Sequence, residues 1–131
     1  MLAASNLSVL LVEDVLTMRF HLKRMLSEIG FKRIQTAASV EEAQVILMVE
    51  VVDIVLCDWY LGLSSGLDLL KHLRKKPENE RTAFVMLTAE NTKDKVVEAL
   101  NSGVDDYLVK PVSAAMVRAK VESALAKRSK K

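Results

Sequence analysis

Ile54-Val55-Leu56-Cys57-Asp58 sets four apolar residues in a row and ends them on a carboxylate. Two further runs have the same apolar character, Val9-Leu10-Leu11-Val12 and Phe84-Val85-Met86-Leu87. A strand is apolar without alternation when both of its faces are buried, as in a parallel sheet covered by helices on both sides. The three runs therefore predict central strands of a parallel sheet.

Five predicted strands alternate with five longer stretches of helical period. The strands are Leu7–Val12, Arg33–Ala37, Asp53–Cys57, Ala83–Leu87 and Tyr107–Val109. The apolar stripes between and after them are Met18-Leu22-Met25-Leu26-Ile29, Ala43-Ile46-Leu47, Leu67-Leu70-Leu73, Val96-Val97-Leu100 and Met116-Val117-Val121-Ala124-Leu125. Ser39, with Glu42, and Ser113 are predicted helix N-caps, while Gly30 and Gly103 mark helix ends.

This order predicts an α/β fold in which five βα units form a doubly wound, five-stranded parallel sheet. Right-handed crossovers place helices on both faces of such a sheet. With 131 residues, of which 50% are hydrophobic, the chain is expected to form a single domain over residues 1–131. Functional groups in open α/β sheets lie beyond the carboxyl ends of the strands, near the topological switch point.

Composition and charge exclude several classes of protein. The net charge of +2 is too small to predict a nucleic-acid partner, and none is expected. The lone Cys57 cannot form an internal disulfide, no apolar run approaches the roughly 18 residues of a membrane span, and the N-terminus does not resemble a signal peptide. We therefore expect a cytoplasmic protein. The basic run Lys127–Lys131 is expected to be a solvated, fraying tail.

Polar residues stand at the carboxyl ends of the predicted strands. Glu13-Asp14 follow the first, Asp58 ends the third, Thr88 the fourth, and Lys110-Pro111 the fifth. In this architecture those ends are neighbours, so three carboxylates, one hydroxyl and one ammonium should converge in one shallow cleft. A hard divalent cation, Mg²⁺ or alternatively Mn²⁺, relieves the repulsion among such carboxylates. One carboxylate can then act as a nucleophile toward phosphorus.

Five short motifs occur in order at these places. They are Val12-Glu13-Asp14, Cys57-Asp58-Trp59, Gly66-Leu67-Asp68-Leu69-Leu70, Met86-Leu87-Thr88-Ala89-Glu90, and Gly103 through Tyr107 to Lys110-Pro111. Together they resemble the receiver domains of response regulators, of the CheY-like, flavodoxin-like type. The resemblance implies the strand order 2-1-3-4-5. It also implies a two-component receiver that accepts a phosphoryl group from a histidine kinase or a phosphotransfer protein.

The resemblance further assigns roles to single residues. Asp58 would be the phospho-acceptor, Asp14 a direct ligand of the cation, and Glu13 a ligand through water. The backbone carbonyl of Tyr60 would be a further metal ligand. Lys110, Thr88 and the backbone of Ala89 would contact the phosphate. Thr88 and Tyr107 would be the switch residues, and the peptide bond before Pro111 would be cis. Such a protein is a switch that catalyses its own phosphorylation and dephosphorylation, and is not otherwise an enzyme.

Two departures from the family pattern concern the rate of dephosphorylation. Gly62 replaces a proline that is common four residues after the acceptor, so the loop Gly62–Gly66 is expected to be looser than usual. Tyr60 is bulkier than the small polar residue often found two residues after the acceptor. Tyr60 and Glu90 are predicted to flank the path of the hydrolytic water and to tune the lifetime of the phosphorylated state.

The resemblance places the downstream protein partner on the face formed by helix 4, strand 5 and helix 5. Residues expected to be exposed there are Lys93, Val96, Tyr107, Val112 and Lys120. The chain is expected to be a monomer or a weak dimer.

Two alternatives remain open, a pseudo-receiver used only for docking and a receiver domain cut from a larger regulator or hybrid kinase. A phosphatase of the haloacid-dehalogenase type is disfavoured, because its nucleophile follows the first strand. A flavin carrier is disfavoured because Glu13-Asp14 would repel phosphate.

Overall fold

A five-stranded parallel sheet organises the chain in a computed structural model that describes residues 3–89 and 92–129. The strands are β1 (Ser8–Val12), β2 (Arg33–Ala37), β3 (Ile54–Asp58), β4 (Ala83–Thr88) and β5 (Asp106–Val109). The helices are α1 (Leu16–Ile29), α2 (Val40–Val49), α3 (Gly66–Arg74), α4 (Lys93–Asn101) and α5 (Ala114–Ser129), with short 3₁₀ turns at Ala4–Asn6 and Pro77–Asn79. The sheet order is β2-β1-β3-β4-β5, so the predicted doubly wound α/β fold is confirmed.

The three continuously apolar runs form the central strands, and every residue of β1, β3 and β4 is buried. The sheet separates two hydrophobic layers. One contains Leu22 of α1 and Val121 of α5, and the other contains Ala43 of α2, Leu70 of α3 and Ala99 of α4. Full burial of one large aliphatic side chain contributes roughly 1.5–3 kcal/mol, so these two layers supply most of the driving force for folding.

Local signals mark the beginnings and ends of helices where the sequence predicted them. The Ser39 hydroxyl accepts a hydrogen bond from the Glu42 amide at 3.1 Å, and the Ser113 hydroxyl accepts one from the Met116 amide at 3.2 Å. Gly30 follows α1 with φ 122°, a left-handed conformation that costs glycine nothing. Each serine hydroxyl thus satisfies one amide of a first helical turn, where amides have no partner within the helix.

Helix α4 packs through a different stripe from the predicted one. Val97 and Leu100 are exposed and Val96 is half-buried, whereas Ala99 is fully buried. The spacing of apolar residues shows that a helix has an apolar arc but does not show which part of that arc meets the sheet. Here the small side chain of Ala99 is the one that reaches the core, and larger apolar side chains remain in solvent.

The segment after β3 is a hairpin that was not predicted. Tyr60–Leu61 pairs antiparallel with Ser64–Ser65, and Gly62 and Leu63 form the two-residue connection. Gly62 has φ 66°, which such a tight turn requires and which glycine adopts without a steric penalty. The expected loose loop is therefore a hydrogen-bonded hairpin.

The basic end of α5 is anchored through Arg128, while the side chain of Lys127 beside it is 57% exposed. The Arg128 side chain is only 12% exposed, and its Nε donates to Oδ1 of Asp105 at 2.6 Å. Lys127 donates from Nζ to the Asp105 carbonyl oxygen at 2.7 Å. The expectation of a solvated, fraying end is therefore wrong for Arg128, because a buried carboxylate pairs with it in the last turn of α5. Lys130 and Lys131 lie outside the described residues.

A second arginine completes this cluster at the amino end of the sheet. Arg74 donates to Oδ2 of Asp105 at 2.9 Å, and the Phe84 amide donates to the same oxygen at 2.8 Å. Burial and the nearby Arg128 charge lower the pKa of Arg74 to about 10, while Asp105 opposes that shift. Arg74 therefore stays charged at neutral pH, and one buried carboxylate joins the two guanidinium groups.

Replacing Arg128 with methionine should destabilise the fold. The Arg128→Met change removes donors to Asp105, Glu80 and Gly103. We expect the free energy of unfolding to fall by about 1.5–3 kcal/mol, measured by urea denaturation. The control is Arg118→Met on the same helix, where an exposed pair with Glu122 should contribute less than about 0.5 kcal/mol. Equal losses in the two variants would contradict a structural role for the Asp105 cluster.

Candidate functional site

The strand register brings the predicted polar residues to one edge of the sheet. Asp58 lies opposite Leu87, and Thr88 lies opposite Val109, so Asp58 and Thr88 end adjacent strands. The Lys110 amide donates to the Thr88 carbonyl at 2.8 Å, which extends the β4–β5 contact by one residue. The Lys110–Pro111 peptide bond is cis, the isomer that the resemblance implies.

The ammonium group of Lys110 lies between two carboxylates. Its Nζ is 3.0 Å from Oε1 of Glu13 and 3.1 Å from Oδ2 of Asp58. Burial alone would lower the pKa of Lys110, but the hydrogen bonds to these two carboxylates outweigh it and raise the pKa. Lys110 is therefore a fixed positive charge at the centre of the site.

Glu13 is the most deeply buried carboxylate of the site. Its burial raises its pKa, and the hydrogen bonds that it accepts from Lys110 and from the Val15 amide offset only part of that rise. Arg19 holds the same residue from α1, because its guanidinium donates to the Glu13 carbonyl oxygen at 2.8 Å. Sequence reasoning missed Arg19, because no recognisable motif links an arginine in α1 to Glu13.

Three carboxylates form a cluster suited to a metal ion. Glu13, Asp14 and Asp58 each offer an oxygen, and these atoms all lie within 4.8 Å of one another. Glu13 and Asp58 are buried, whereas Asp14 is exposed at the mouth of the site. An all-oxygen donor set with one open side fits a hard divalent cation that keeps some of its waters. The cluster could therefore hold a metal ion.

The predicted switch residues lie beside this cluster. Thr88 is fully buried at the end of β4, and Tyr107 is half-buried on β5 opposite Met86. Residues two apart on a strand share a face, so Thr88, Met86 and Tyr107 face the same layer. Ala89 is exposed next to Thr88. Glu90, predicted to tune the rate, lies outside the described residues.

Gly66 allows α3 to start directly against the acceptor strand. A Cβ atom at Gly66 would overlap the carbonyl oxygen of Asp58 and would lie 2.9 Å from Sδ of Met86. The Gly66 amide also donates to the Trp59 carbonyl oxygen at 2.7 Å. Only glycine fits, so this residue sets how closely α3 approaches the site.

The ammonium group of Lys95 lies over the rings of both residues that follow Asp58, Trp59 and Tyr60. Nζ of Lys95, in the first turn of α4, lies 4.7 Å from the ring centre of Trp59 and 5.1 Å from that of Tyr60. Both distances are within the range of cation–π attraction. Trp59 is buried, while Tyr60 is exposed at the start of the hairpin. Sequence reasoning did not find Lys95, because α4 meets these rings only in the folded chain.

Cys57 belongs to the core. Burial raises the pKa of its thiol well above its usual value, and the negative charges of Asp58 and Glu13 raise it further. The thiol therefore remains protonated and unreactive, and its Sγ donates to the Asp58 carbonyl oxygen at 3.3 Å.

Comparison with known proteins identifies the family to which the chain belongs. Residues 9–122 match the response regulator receiver domain. The chemotaxis protein CheY-3 of Vibrio cholerae is 35% identical over 117 residues, which cover 89% of this chain and 90% of that protein. The phosphate regulon transcriptional regulatory protein PhoB of Rhizobium meliloti is 36% identical over 114 residues, which cover 87% of this chain and 50% of that protein.

Solved structures agree with these matches. The structure of Vibrio cholerae CheY4 superposes with a TM-score of 0.85 at 25% identity, covering 91% of this chain and 98% of that one. A putative response regulator from Chloroflexus aurantiacus gives a TM-score of 0.85 at 29% identity, covering 92% and 98%.

The fold and the site thus define a phospho-acceptor switch of two-component signal transduction. The chain belongs to the response regulator receiver domain family. Receiver domains of this family interact with histidine kinases and with downstream targets. None of the helices in the described part of the chain has the length and apolar character needed to span a membrane.

Proposed function

We propose that Asp58 is the phospho-acceptor of this receiver and that Mg²⁺ is required for the transfer. One observation carries the proposal: the Asp58 carboxylate contacts the Lys110 ammonium at 3.1 Å and clusters with the carboxylates of Glu13 and Asp14. A nucleophile, a fixed cation and a metal-binding group of oxygens are thereby in one place. A docking module that is never phosphorylated would need none of them.

The proposed step transfers a phosphoryl group from a phosphohistidine to Asp58. An Asp58 oxygen attacks phosphorus, a P–O bond forms, the P–N bond breaks, and the imidazole nitrogen of the donor keeps the electron pair. Lys110 contacts one phosphoryl oxygen, and the Thr88 hydroxyl and the Ala89 amide donate to others. Bound Mg²⁺ supplies charge neutralisation during the transfer. Water later cleaves the acyl phosphate, so the domain catalyses both its own phosphorylation and its own dephosphorylation.

The proposed metal ligands are the carboxylates of Asp14 and Asp58, the backbone carbonyl of Tyr60, and Glu13 acting through water. Three of these residues belong to the cluster of oxygens within 4.8 Å. The exposure of Asp14 supports direct binding, because a cation that enters from solvent meets this carboxylate first. Mn²⁺ has the same preference for oxygen ligands and is expected to substitute.

The proposed output is a change in the face formed by α4, β5 and α5. Phosphate would draw Thr88 inward and give Tyr107 room to turn, since both face the same side of the sheet. The exposed apolar side chains of Val97 and Leu100 on α4 support a protein partner there. For a nearly complete switch, phosphorylation must favour the active state by about 5.5 kcal/mol. Of the residues expected on this face, Lys93 is exposed, and Val96, Tyr107, Val112 and Lys120 are half-buried.

Acetyl phosphate with Mg²⁺ should add one phosphoryl group to the protein, detected by intact mass. Asp58→Asn should abolish the addition, because the amide is not a nucleophile toward phosphorus at neutral pH. Asp68→Asn is the control, since Asp68 is an exposed carboxylate in the first turn of α3. Phosphorylation of the Asp58→Asn protein would show that another residue is the acceptor.

Asp14→Ala should weaken Mg²⁺ binding by at least about tenfold, because it removes a proposed direct ligand. The single tryptophan, Trp59, is buried directly after Asp58, and its fluorescence is expected to report binding. The matched control is Asp68→Ala, which should bind Mg²⁺ like the wild type. An unchanged affinity in Asp14→Ala would rule out the assignment of Asp14.

Tyr60→Asn should speed dephosphorylation by about 3–10-fold, a barrier change of roughly 0.7–1.4 kcal/mol. The tyrosine ring, held under Lys95, is expected to obstruct the water that attacks the phosphoryl group, and asparagine is smaller. The decay of phosphorylated protein is followed at fixed Mg²⁺. Tyr60→Phe keeps the ring and should decay like the wild type. Decay in Tyr60→Asn that is equal or slower would mean that the ring shields nothing.

A further inference from the structure

Helix α2 carries an apolar stripe that faces solvent. The exposed fractions are 61% for Val45, 75% for Met48 and 80% for Val49, and Val51, just beyond the helix, is 55% exposed. The three helical residues are spaced i, i+3 and i+4, which places them on one face. Exposed apolar side chains grouped on one face of a helix are typical of an interaction site.

The stretch of sequence that carries this stripe is acidic. From Ile34 to Leu70 the chain contains no lysine or arginine, and its carboxylates are Glu41, Glu42, Glu50, Asp53, Asp58 and Asp68. Glu41 lies one turn before Val45, and Glu50 follows the helix. None of the ion pairs in the described part of the chain involves Glu41 or Glu50. The stripe therefore suits an occupant that is both apolar and cationic.

Helix α1 of the same chain has that chemistry. Leu16 is 68% exposed and Phe20 is 72% exposed, one turn apart on one face. Lys23 and Arg24 follow within the next turn and line a shallow groove together with Phe20. The α1 surface is thus apolar in its first half and cationic in its second.

The two surfaces match when the helices run antiparallel. Lys23 and Arg24 follow Phe20 by three and four residues, and Glu41 precedes Val45 by four. At a rise of 1.5 Å per residue, the charged and apolar groups are about 4.5–6 Å apart along the axis on both helices. Antiparallel packing then sets Phe20 against Val45 and the two cations against Glu41. The helix dipoles also oppose each other favourably in this orientation.

We propose that the α2 stripe of one copy binds the α1 surface of a second copy. Helices α1 and α2 cover opposite faces of the sheet, so a single chain cannot join its own two surfaces. The contact is heterologous, because it joins two different surfaces, and it leaves one copy of the pair with a free α1 surface and the other with a free α2 stripe. Association therefore continues beyond the dimer. The proposal does not depend on phosphorylation.

Sedimentation velocity of the purified, unphosphorylated protein tests this association. The weight-average mass should rise past that of a dimer between about 20 and 500 μM protein, and less steeply in about 0.5 M than in 0.05 M salt, because salt screens the charge pairs. Val49→Lys should abolish the rise, since it puts a charge in the apolar stripe. Leu63→Lys makes the same exchange at the exposed hairpin tip and should associate like the wild type.

A charge exchange tests the identity of the occupant. Lys23→Glu should weaken association by about 3–10-fold, and adding Glu41→Lys should restore most of the loss, because both charges are then reversed. Lys23 is chosen because Arg24 already pairs with Glu28 on its own helix at 3.3 Å. A monomer at every concentration, a mass that stops at the dimer, or association indifferent to Val49→Lys or to Lys23→Glu would each overturn the proposal.

Discussion

The ammonium of Lys110 holds together two carboxylates that would otherwise repel each other. Glu13 follows β1, Asp58 ends β3, and Lys110 follows β5, so one cation joins the ends of three strands. Removing one partner from such a cluster leaves an uncompensated charge in a mostly buried site, which is far costlier than losing an exposed ion pair. The same three groups carry the proposed chemistry, and the stability of this edge of the sheet is therefore tied to its reactivity.

At the amino ends of the strands the arrangement of charges is reversed. There one buried carboxylate, that of Asp105, lies between the guanidinium groups of Arg74 and Arg128. Strand β5 begins directly after Asp105 and ends directly before Lys110, so ionic contacts hold this edge strand at both ends. Tyr107 lies between the two held ends. A change in the side chain of Tyr107 can therefore occur on a strand whose backbone is fixed.

The central sheet and its site could be predicted because their signals are local. An apolar run ending in Asp58 indicates both a buried strand and a polar group at its carboxyl end. The pairing of Arg128 with Asp105 could not be read in this way, because a basic residue in a last helical turn has the same pattern whether it is solvated or paired. Which apolar side chain of α4 meets the sheet, and the contact of Lys95 with two rings, also depend on how the helix docks. Such contacts arise from tertiary packing, to which helical period and short motifs are insensitive.

Gly66 gives the site a mechanical property. Most helices pack on a sheet through side chains, which can change rotamer. The first residue of α3 instead packs against the backbone of Asp58 with no side chain between them. Close-packed groups of this kind compress little. Helix α3 therefore fixes the backbone behind the proposed nucleophile. The carboxylate of Asp58 can rotate about its side-chain bonds, but its backbone cannot move away from an incoming phosphorus atom.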